Sequence, residues 1–363
     1  MYRRRLCGQV QAHFTGEPMS GRNERIAEVN RSSLSTSVSG ESPVAFYEGT
    51  PKLGSHDTEL CPVCGHQGGQ EWFRAPDRFH GRRQMYTLLR CQVCSLVWLS
   101  HPPRADEMHH HYTAEYDRLI SAAGQQSPGR WPFRKVALSQ YKQSGSLLDL
   151  GCSSGAFLES LKGDKWKLYA IEMSADCARA AEAKSGAQVF VGDILKACFA
   201  PESFDVITCF DVLEHLYEPR RVIAKVREWL KPGGVFYVLV PNIDSAEARV
   251  FGSYWCGLEL PRHLFHYSPA SLRFLANSVG LREISLVTRR NAALGVNFRY
   301  LFDDLFRTVG ICRTPQAYLG PPCLPWKAAR KLLRLTVLKF LLAIAPLAGG
   351  GESIHAFFRK DFD

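Results

Sequence analysis

From Ser146 to Arg289 the chain alternates short apolar runs with longer stretches of helical periodicity. Six segments read as strands: "SLLDLG", "KLYAIE", "AQVFVG", "FDVITCF", "GVFYVLVP" and "REISLV". The first five are apolar almost without interruption, as expected of strands buried on both faces of a parallel sheet. The spacers are long enough for crossover helices. The pattern predicts a doubly wound α/β core over 146–290.

On either side the rhythm changes. Residues 1–57 are rich in serine and glycine ("RSSLSTSVSGES") with neither helical nor strand periodicity, which predicts a disordered tail. Two cysteine pairs mark a small module over 58–104, and "PPRADEMHHHYTAEYDRL" opens a helical connector over 105–145 in which His109, His110 and His111 read as solvated. Residues 291–350 read as a helical insertion, after which "ESIHAFFRK" within 351–363 supplies a last core strand. In the insertion, Phe298, Leu301, Phe302, Leu305, Phe306 and Val309 recur at helical spacing and predict one apolar face. A second helix over 326–348 starts with Lys327, Arg330, Lys331 and Arg334 on one face and ends apolar nearly all round.

Composition narrows this picture. A chain of 363 residues, 45% hydrophobic and 22% charged, is long enough for two or three domains and globular in character. Its net charge of +10 implies an anionic partner: nucleic acid, a phosphorylated substrate or a membrane surface. From Arg289 onward, twelve Lys and Arg stand against five acids, so much of the excess lies in the insertion. The apolar end, Leu335 to Ala348, has 14 residues and contains Lys339 and Pro346, whereas a transmembrane helix needs roughly 20. Two expectations stand level: a helix in the headgroup region of an anionic membrane, near a lipid-linked acceptor, or one packed on the body or a second copy. The arginines of "MYRRRLCGQVQAHF" precede no apolar stretch of signal length, so the expected location is cytoplasmic, with peripheral attachment to the inner membrane face under the first alternative.

Cysteine usage adds a metal. Of twelve cysteines, Cys61, Cys64, Cys91 and Cys94 form "CPVCG" and "CQVCS", separated by 26 residues. A two-residue gap lets both thiolates of a pair face one ion, and four thiolates close a tetrahedral zinc site with no open position. The expectation is a structural zinc in a reducing compartment, with iron the other metal that four sulfurs accept. The basic stretch "RFHGRRQMYTLLR" between the pairs is able to meet phosphates, although basic ribbon hairpins commonly lack that role.

The chemistry-bearing residues sit at strand ends. In "LLDLGCSSGAFLESL", Gly151 and Gly155 turn the chain from strand to helix, and Asp149 stands two positions before the first glycine. A carboxylate there repels a pyrophosphate but accepts hydrogen bonds from a cationic amino-acid ligand, which favours S-adenosylmethionine over a dinucleotide. Glu172 ends the second strand, placed to take both ribose hydroxyls, Asp193 follows the third, placed for the adenine amino group, and Asp211 follows the fourth. Chance placement of four such features in order is improbable; each alone would be a structural turn or a solvated acid.

These residues, with "FDVITCFDVLEHL", "WLKPGGVFYVLVPN" and "PRHLFHYSPASLRFLANSVGL", carry a resemblance to class I S-adenosylmethionine-dependent methyltransferases over about Leu147 to Gly280. More narrowly, the chain resembles bacterial members with an N-terminal cysteine-pair module that act mainly on sugars or small metabolites. The resemblance implies a seven-stranded sheet with an antiparallel last strand. Ser153 departs from it, standing where many members have a middle glycine. It implies cofactor contacts from Asp149, Gly151, Ser153, Gly155, Glu172, Asp193 and Asp211, and it favours the loop of His263 as the source of an acid–base residue. His215 is the second candidate; His266 and Tyr267 are neighbours able to share the role, while Tyr254 and Trp255 read as acceptor-pocket walls. Histidine suits proton removal near neutral pH, and simple hydrogen bonding of the loop to the body is the competing role for His263 and His266. The leading expectation is methylation of a small-molecule or glycan acceptor, a sugar on a nucleotide- or lipid-linked saccharide. The alternatives are an RNA or other macromolecular methyltransferase guided by the zinc module, and a degenerate scaffold.

Overall fold

All seven apolar runs form strands of one sheet. In chain order these are β4 (Gly145–Leu150), β5 (Trp166–Glu172), β6 (Gln188–Val191), β7 (Phe204–Phe210), β8 (Leu230–Pro241), β10 (Leu281–Arg289) and β11 (Ser353–Lys360). They lie in the order β10-β11-β8-β7-β4-β5-β6. Strands β6, β5, β4, β7 and β8 pair in parallel, whereas β11 is antiparallel to both β8 and β10. The expected antiparallel last strand is therefore present and is inserted one place from the edge. The computed structural model describes residues 60–114, 116, 130–290, 294–309 and 350–362, all within the compact unit Thr50–Asp363. The predicted tail 1–57 and the basic helix 326–348 lie outside the described residues.

Helices pack around the sheet: α1 (Arg130–Ser139), α2 (Ala156–Ser160), α3 (Ala175–Ser185), α4 (Pro219–Trp229), α5 (Ala246–Phe251), α6 (Pro269–Asn277) and α7 (Leu294–Thr308), with a single 3-10 turn, Ile194–Lys196, between β6 and β7. Their starts are written locally. Ser174 accepts from the Cys177 amide at the start of α3, and Ser268 and Ser271 cap one another reciprocally at α6, each satisfying amides that have no partner inside the helix. Both faces of the central strands β4, β7 and β8 are buried, with Leu148, Leu150, Ile207 and Val238 on one side and Leu147, Val206, Val235 and Tyr237 on the other, while the edge strand β6 is only partly covered. Each such aliphatic side chain contributes about 1.5–3 kcal/mol of burial.

The cysteine module folds as a ribbon of β1 (Gly69–Pro76), β2 (Met85–Cys91) and β3 (Val97–Leu99). A fourth strand, β9 (Phe265–His266), comes from the loop after β8 and pairs with β3 through Val97 opposite His266 and Trp98 opposite Phe265. Trp98, Leu88 and Val63 join the same apolar cluster as Leu150, Ile207 and Leu272 of the main domain. The ribbon is thus fused to the loop that carries His263. Among the described residues, no helix is long and apolar enough to cross a membrane.

Two local expectations are corrected. Helix α7 buries Asn297, Phe298, Tyr300 and Asp303, while Leu301, Leu305 and Val309 of the predicted apolar face are exposed. Polar docking turns it: Asn297 Oδ1 accepts from the Cys256 amide at 2.7 Å, and Asp304 accepts from Arg78 at 2.8 Å, with Phe298 edge-on to Phe251 as the apolar anchor. Of the three connector histidines, His109 and His110 are exposed but His111 is buried, because its Nδ1 accepts from Arg82 at 2.9 Å.

Candidate functional site

The parallel strands all end at one edge of the sheet, and the acidic residues line it. The turn after β4 places Gly151 and Gly155 at φ of +70° and +78°, a region closed to most side chains. Space is short as well: a Cβ on Gly151 would lie 2.5 Å from a methyl of Val212, and one on Gly155 would lie 2.6 Å from the Cα of Ala181 in α3. Gly155 therefore serves helix packing and Gly151 a close backbone turn. Ser153 takes the same left-handed region at φ +50°, where a residue with a Cβ is strained.

Glu172, at the tip of β5, draws this turn together. Its two carboxylate oxygens accept from the amides of Ser153 and Ser174, each at 2.9 Å. Asp149 is buried beside it and accepts from Thr208 Oγ1 at 2.6 Å; Thr208 is its register partner on β7. Burial pushes the Asp149 carboxyl up to about 7, a rise to which Glu172 adds and which Thr208 and Arg134 oppose. Asp193 caps the turn after β6, its Oδ1 accepting from the Leu195 amide at 2.8 Å. Asp211, after β7, forms an ion pair with Arg134 at 3.0 Å. Asp149, Gly151, Ser153 and Glu172 form one cluster, and Asp193 and Asp211 flank it at neighbouring strand tips.

Arg134 and Thr208 escaped the sequence reading. Arg134 arrives from α1, buried, with its guanidinium 4.4 Å from the Phe210 ring centre and 4.7 Å from that of Trp131. A cation fixed beside the strand-tip acids is suited to a carboxylate of an amino-acid ligand, while Asp149 suits its ammonium. The donor set therefore fits S-adenosylmethionine: carboxylates for the ammonium and ribose, a guanidinium for the carboxylate, and glycines where the backbone turns closely.

A second cluster lies beyond β7 and β8. The rings of His215 and His263 meet edge to face with centres 4.6 Å apart. His263 Nδ1 lies 2.9 Å from the Gly257 carbonyl, which only accepts, so Nδ1 carries the proton and Nε2 presents a lone pair when the ring is neutral. Glu259 Oε2 lies 3.6 Å from that Nε2. His215 Nδ1 is 3.1 Å from the Arg262 carbonyl and 3.0 Å from the Tyr112 hydroxyl. Burial lowers His263 to about 3, the Glu259 charge offsetting this only in part, and burial likewise lowers His215. Burial opposes the charge on Glu259, but the Arg262 guanidinium 3.2 Å away favours it and helps hold the carboxyl below the usual carboxylate range. Glu214 is buried with both oxygens lacking a hydrogen-bond partner. Glu214, His215 and His263 place ligand atoms within 4.8 Å of one another, a set with metal-ligand chemistry as well as acid–base chemistry.

His266 and Tyr267 lie beside this cluster, the His266 ring centre 6.2 Å from that of His263. His266 Nε2 bonds the Leu258 carbonyl at 3.0 Å while its backbone belongs to β9, and Tyr267 is wholly buried. Trp255 lines a small pocket with Glu259, and Tyr254 lies beneath the Arg78 guanidinium at 4.0 Å. Glu259 and Arg262 were not singled out from the sequence, although both lie within four residues of His263.

The four module cysteines converge. Sγ atoms of Cys61 and Cys94, and of Cys64 and Cys91, are each 3.5 Å apart, and all four lie within 4.8 Å of one another. Zinc–sulfur bonds of about 2.3 Å in a tetrahedron place sulfurs about 3.8 Å apart. The amides of Val93 and Cys94 point at Cys91 Sγ, at 3.4 and 3.5 Å, as donors to a metal-bound thiolate do.

A family model described as a methyltransferase domain matches residues 108–286. Ubiquinone biosynthesis O-methyltransferase of Thiobacillus denitrificans is 30% identical over 169 residues, covering 43% of this chain and 71% of that protein. The enzyme of the same name from Paraburkholderia xenovorans is 29% identical over 153 residues, covering 39% and 66%. The chain spans about two thirds of the length of these curated relatives. The structure of phosphoethanolamine N-methyltransferase 2 from Haemonchus contortus with S-adenosyl-L-methionine aligns with a TM-score of 0.41 at 15% identity, covering 63% of this chain and 52% of that one.

Proposed function

The chain belongs to the class I S-adenosylmethionine-dependent methyltransferases, and on that premise we propose that it methylates a hydroxyl of a small acceptor, a sugar on a nucleotide- or lipid-linked saccharide. The observation that carries this reading is the edge-to-face pair of the half-buried His215 and the buried His263 with Glu259 beside it, on the loops that follow the strand-tip acids. Bound S-adenosylmethionine supplies an electrophilic methyl group on sulfur. A hydroxyl acceptor loses its proton as the new O–C bond forms and the S–C bond breaks, and His263 Nε2 takes that proton. Glu259 stabilises the imidazolium so formed, and the Gly257 carbonyl holds the ring in the tautomer that exposes Nε2. His215 orients the acceptor or substitutes as base.

Asp149, Glu172, Asp193 and Arg134 hold the cofactor, with Asp211 positioning Arg134 through their ion pair. Cys61, Cys64, Cys91 and Cys94 hold one structural zinc, which fixes the ribbon and, through β3 and β9, the His263 loop. An oxygen acceptor agrees with the names of the relatives; a sugar differs from the acceptor those names point to. Methyl-labelled S-adenosylmethionine offered with nucleotide-diphosphate sugars, catechols and ribosomal RNA transcripts tests the reading. Label is expected in the sugar fraction, and label confined to catechol or RNA overturns it.

A further inference from the structure

We propose that the cleft between the ribbon hairpin and α7 is a diphosphate-binding subsite that anchors the acceptor, a site that rests on the small-acceptor reading above and specifies its chemistry. The cleft has a volume of about 260 Å³ and is lined by four arginines, Arg78, Arg82, Arg83 and Arg307, with Asp77 and Asp303. Its negative charge is largely committed. Asp77 is wholly buried and bound to His80 at 2.9 Å with Arg262 behind it, and Asp303 is buried and paired with Arg299 at 3.5 Å.

The arginines are not balanced. Arg78 and Arg307 share one carboxylate, that of Asp304, at 2.8 and 3.0 Å. Arg82 spends its donors on two uncharged acceptors, His111 Nδ1 at 2.9 Å and the His110 carbonyl at 3.1 Å. Arg83 is exposed and has no hydrogen-bond or ion-pair partner among the described residues, and Arg307 Nε is buried without a hydrogen-bond partner. Planar guanidinium forks with unspent donors match phosphate oxygens in geometry and charge. Arg78 is also held in place, its Nε bonded to the Ser253 carbonyl at 3.1 Å and its plane over Tyr254, so part of the site is preformed.

The position of the cleft gives the anion a purpose. Pro76, Arg78 and Tyr300 also line a narrower pocket whose other wall carries Glu259, the carboxylate 3.6 Å from His263 Nε2. That pocket measures only about 10 Å³, so a diphosphate held by the arginines places the attached group at its mouth, on the side of Glu259. The buried Asp303 Oδ1, which lacks a hydrogen-bond partner, offers an acceptor for a hydroxyl of the same molecule.

The test is calorimetric titration of the full chain with inorganic pyrophosphate, uridine diphosphate, geranyl diphosphate and a short RNA, at low and moderate salt. S-adenosylhomocysteine is titrated into every sample. Pyrophosphate is expected to bind, and Arg83→Gln and Arg307→Gln each to weaken it about tenfold, the worth of a charge-assisted contact. Arg179→Gln, elsewhere on the surface, is expected to leave it unchanged. Tighter binding of uridine diphosphate than of geranyl diphosphate identifies a nucleotide-linked acceptor, and the reverse order a lipid-linked one. No pyrophosphate binding, or binding unchanged in the Arg83→Gln, Arg307→Gln double variant, overturns the site. RNA bound more tightly than every diphosphate and lost in the same variants replaces it with a nucleic-acid surface. Pyrophosphate binding that persists while S-adenosylhomocysteine fails to bind upholds the subsite and removes the methyl-transfer reading alone.

Discussion

Lowering the pH from 8 to 6 should weaken cofactor binding about tenfold through Asp149 alone. Burial raises its carboxyl to about 7 in the free protein, so it is about half protonated at pH 7, about nine-tenths at pH 6 and about one-tenth at pH 8. A ligand ammonium beside Asp149 favours the carboxylate, so its pKa falls on binding and the proton leaves. The sign follows: above pH 7 no proton need be displaced, and below it each pH unit costs up to about 1.4 kcal/mol, a factor of about ten in affinity. Titration of S-adenosylhomocysteine at pH 6.5, in two buffers of different ionisation heat, should show net proton release. Asp149→Asn keeps the shape, removes the titration, and should bind more weakly at pH 8 with little slope toward pH 6. Affinity of the wild type that is flat between pH 6 and 8, or a slope equal in Asp149→Asn, would refute this assignment.

Three further outcomes follow from the geometry. Metal analysis should return about one zinc per chain, and Cys64→Ser should release it and loosen the ribbon, since structural zinc in small peptides binds with about 10–16 kcal/mol; an unstripped reduced sample containing iron or no metal would contradict this. His263→Ala should lower single-turnover methyl transfer about 10²–10⁴-fold while leaving S-adenosylhomocysteine affinity unchanged. Because burial holds His263 near 3, the wild-type rate should show no loss near pH 6.5 attributable to this ring, and such a limb that vanishes in the variant would sink the placement. Ser153→Gly relieves a left-handed residue at φ +50° and should raise the thermal midpoint by a few degrees, the equivalent of about 1 kcal/mol; an unchanged or lower midpoint would show the serine to be unstrained there.

The centre of the sheet was legible because burial of β4, β7 and β8 on both faces writes itself into sequence as apolar runs, and the partly exposed β6 and β10 were found from the spacing of the pattern around them. The glycine turn and the acids at strand tips were legible for a related reason: each stands at a fixed offset from a strand end, so a local reading places it. What was not legible depends on partners far along the chain. Arg134 reaches Asp211 across 77 residues and Thr208 reaches Asp149 across 59, and no local period encodes either. Strand β9 has only two residues, too few for any pattern, yet it joins the ribbon to the His263 loop. The face of α7 was misread because hydrophobic spacing identifies an apolar stripe, whereas Asn297 and Asp304 fix the helix by polar contacts. Glu259 was invisible as a partner of His263 because its loop bends through a left-handed residue at φ +36°, which no helical or strand template describes.

The most direct measurement is calorimetric titration of S-adenosylhomocysteine into the wild type and into Glu172→Ala. Glu172 binds the amides of Ser153 and Ser174 and is the residue proposed to take the ribose hydroxyls, so one site per wild-type chain is expected, with no measurable binding in a variant that retains its thermal unfolding transition. Absence of binding by the wild type, or equal affinity in the two proteins, would contradict it.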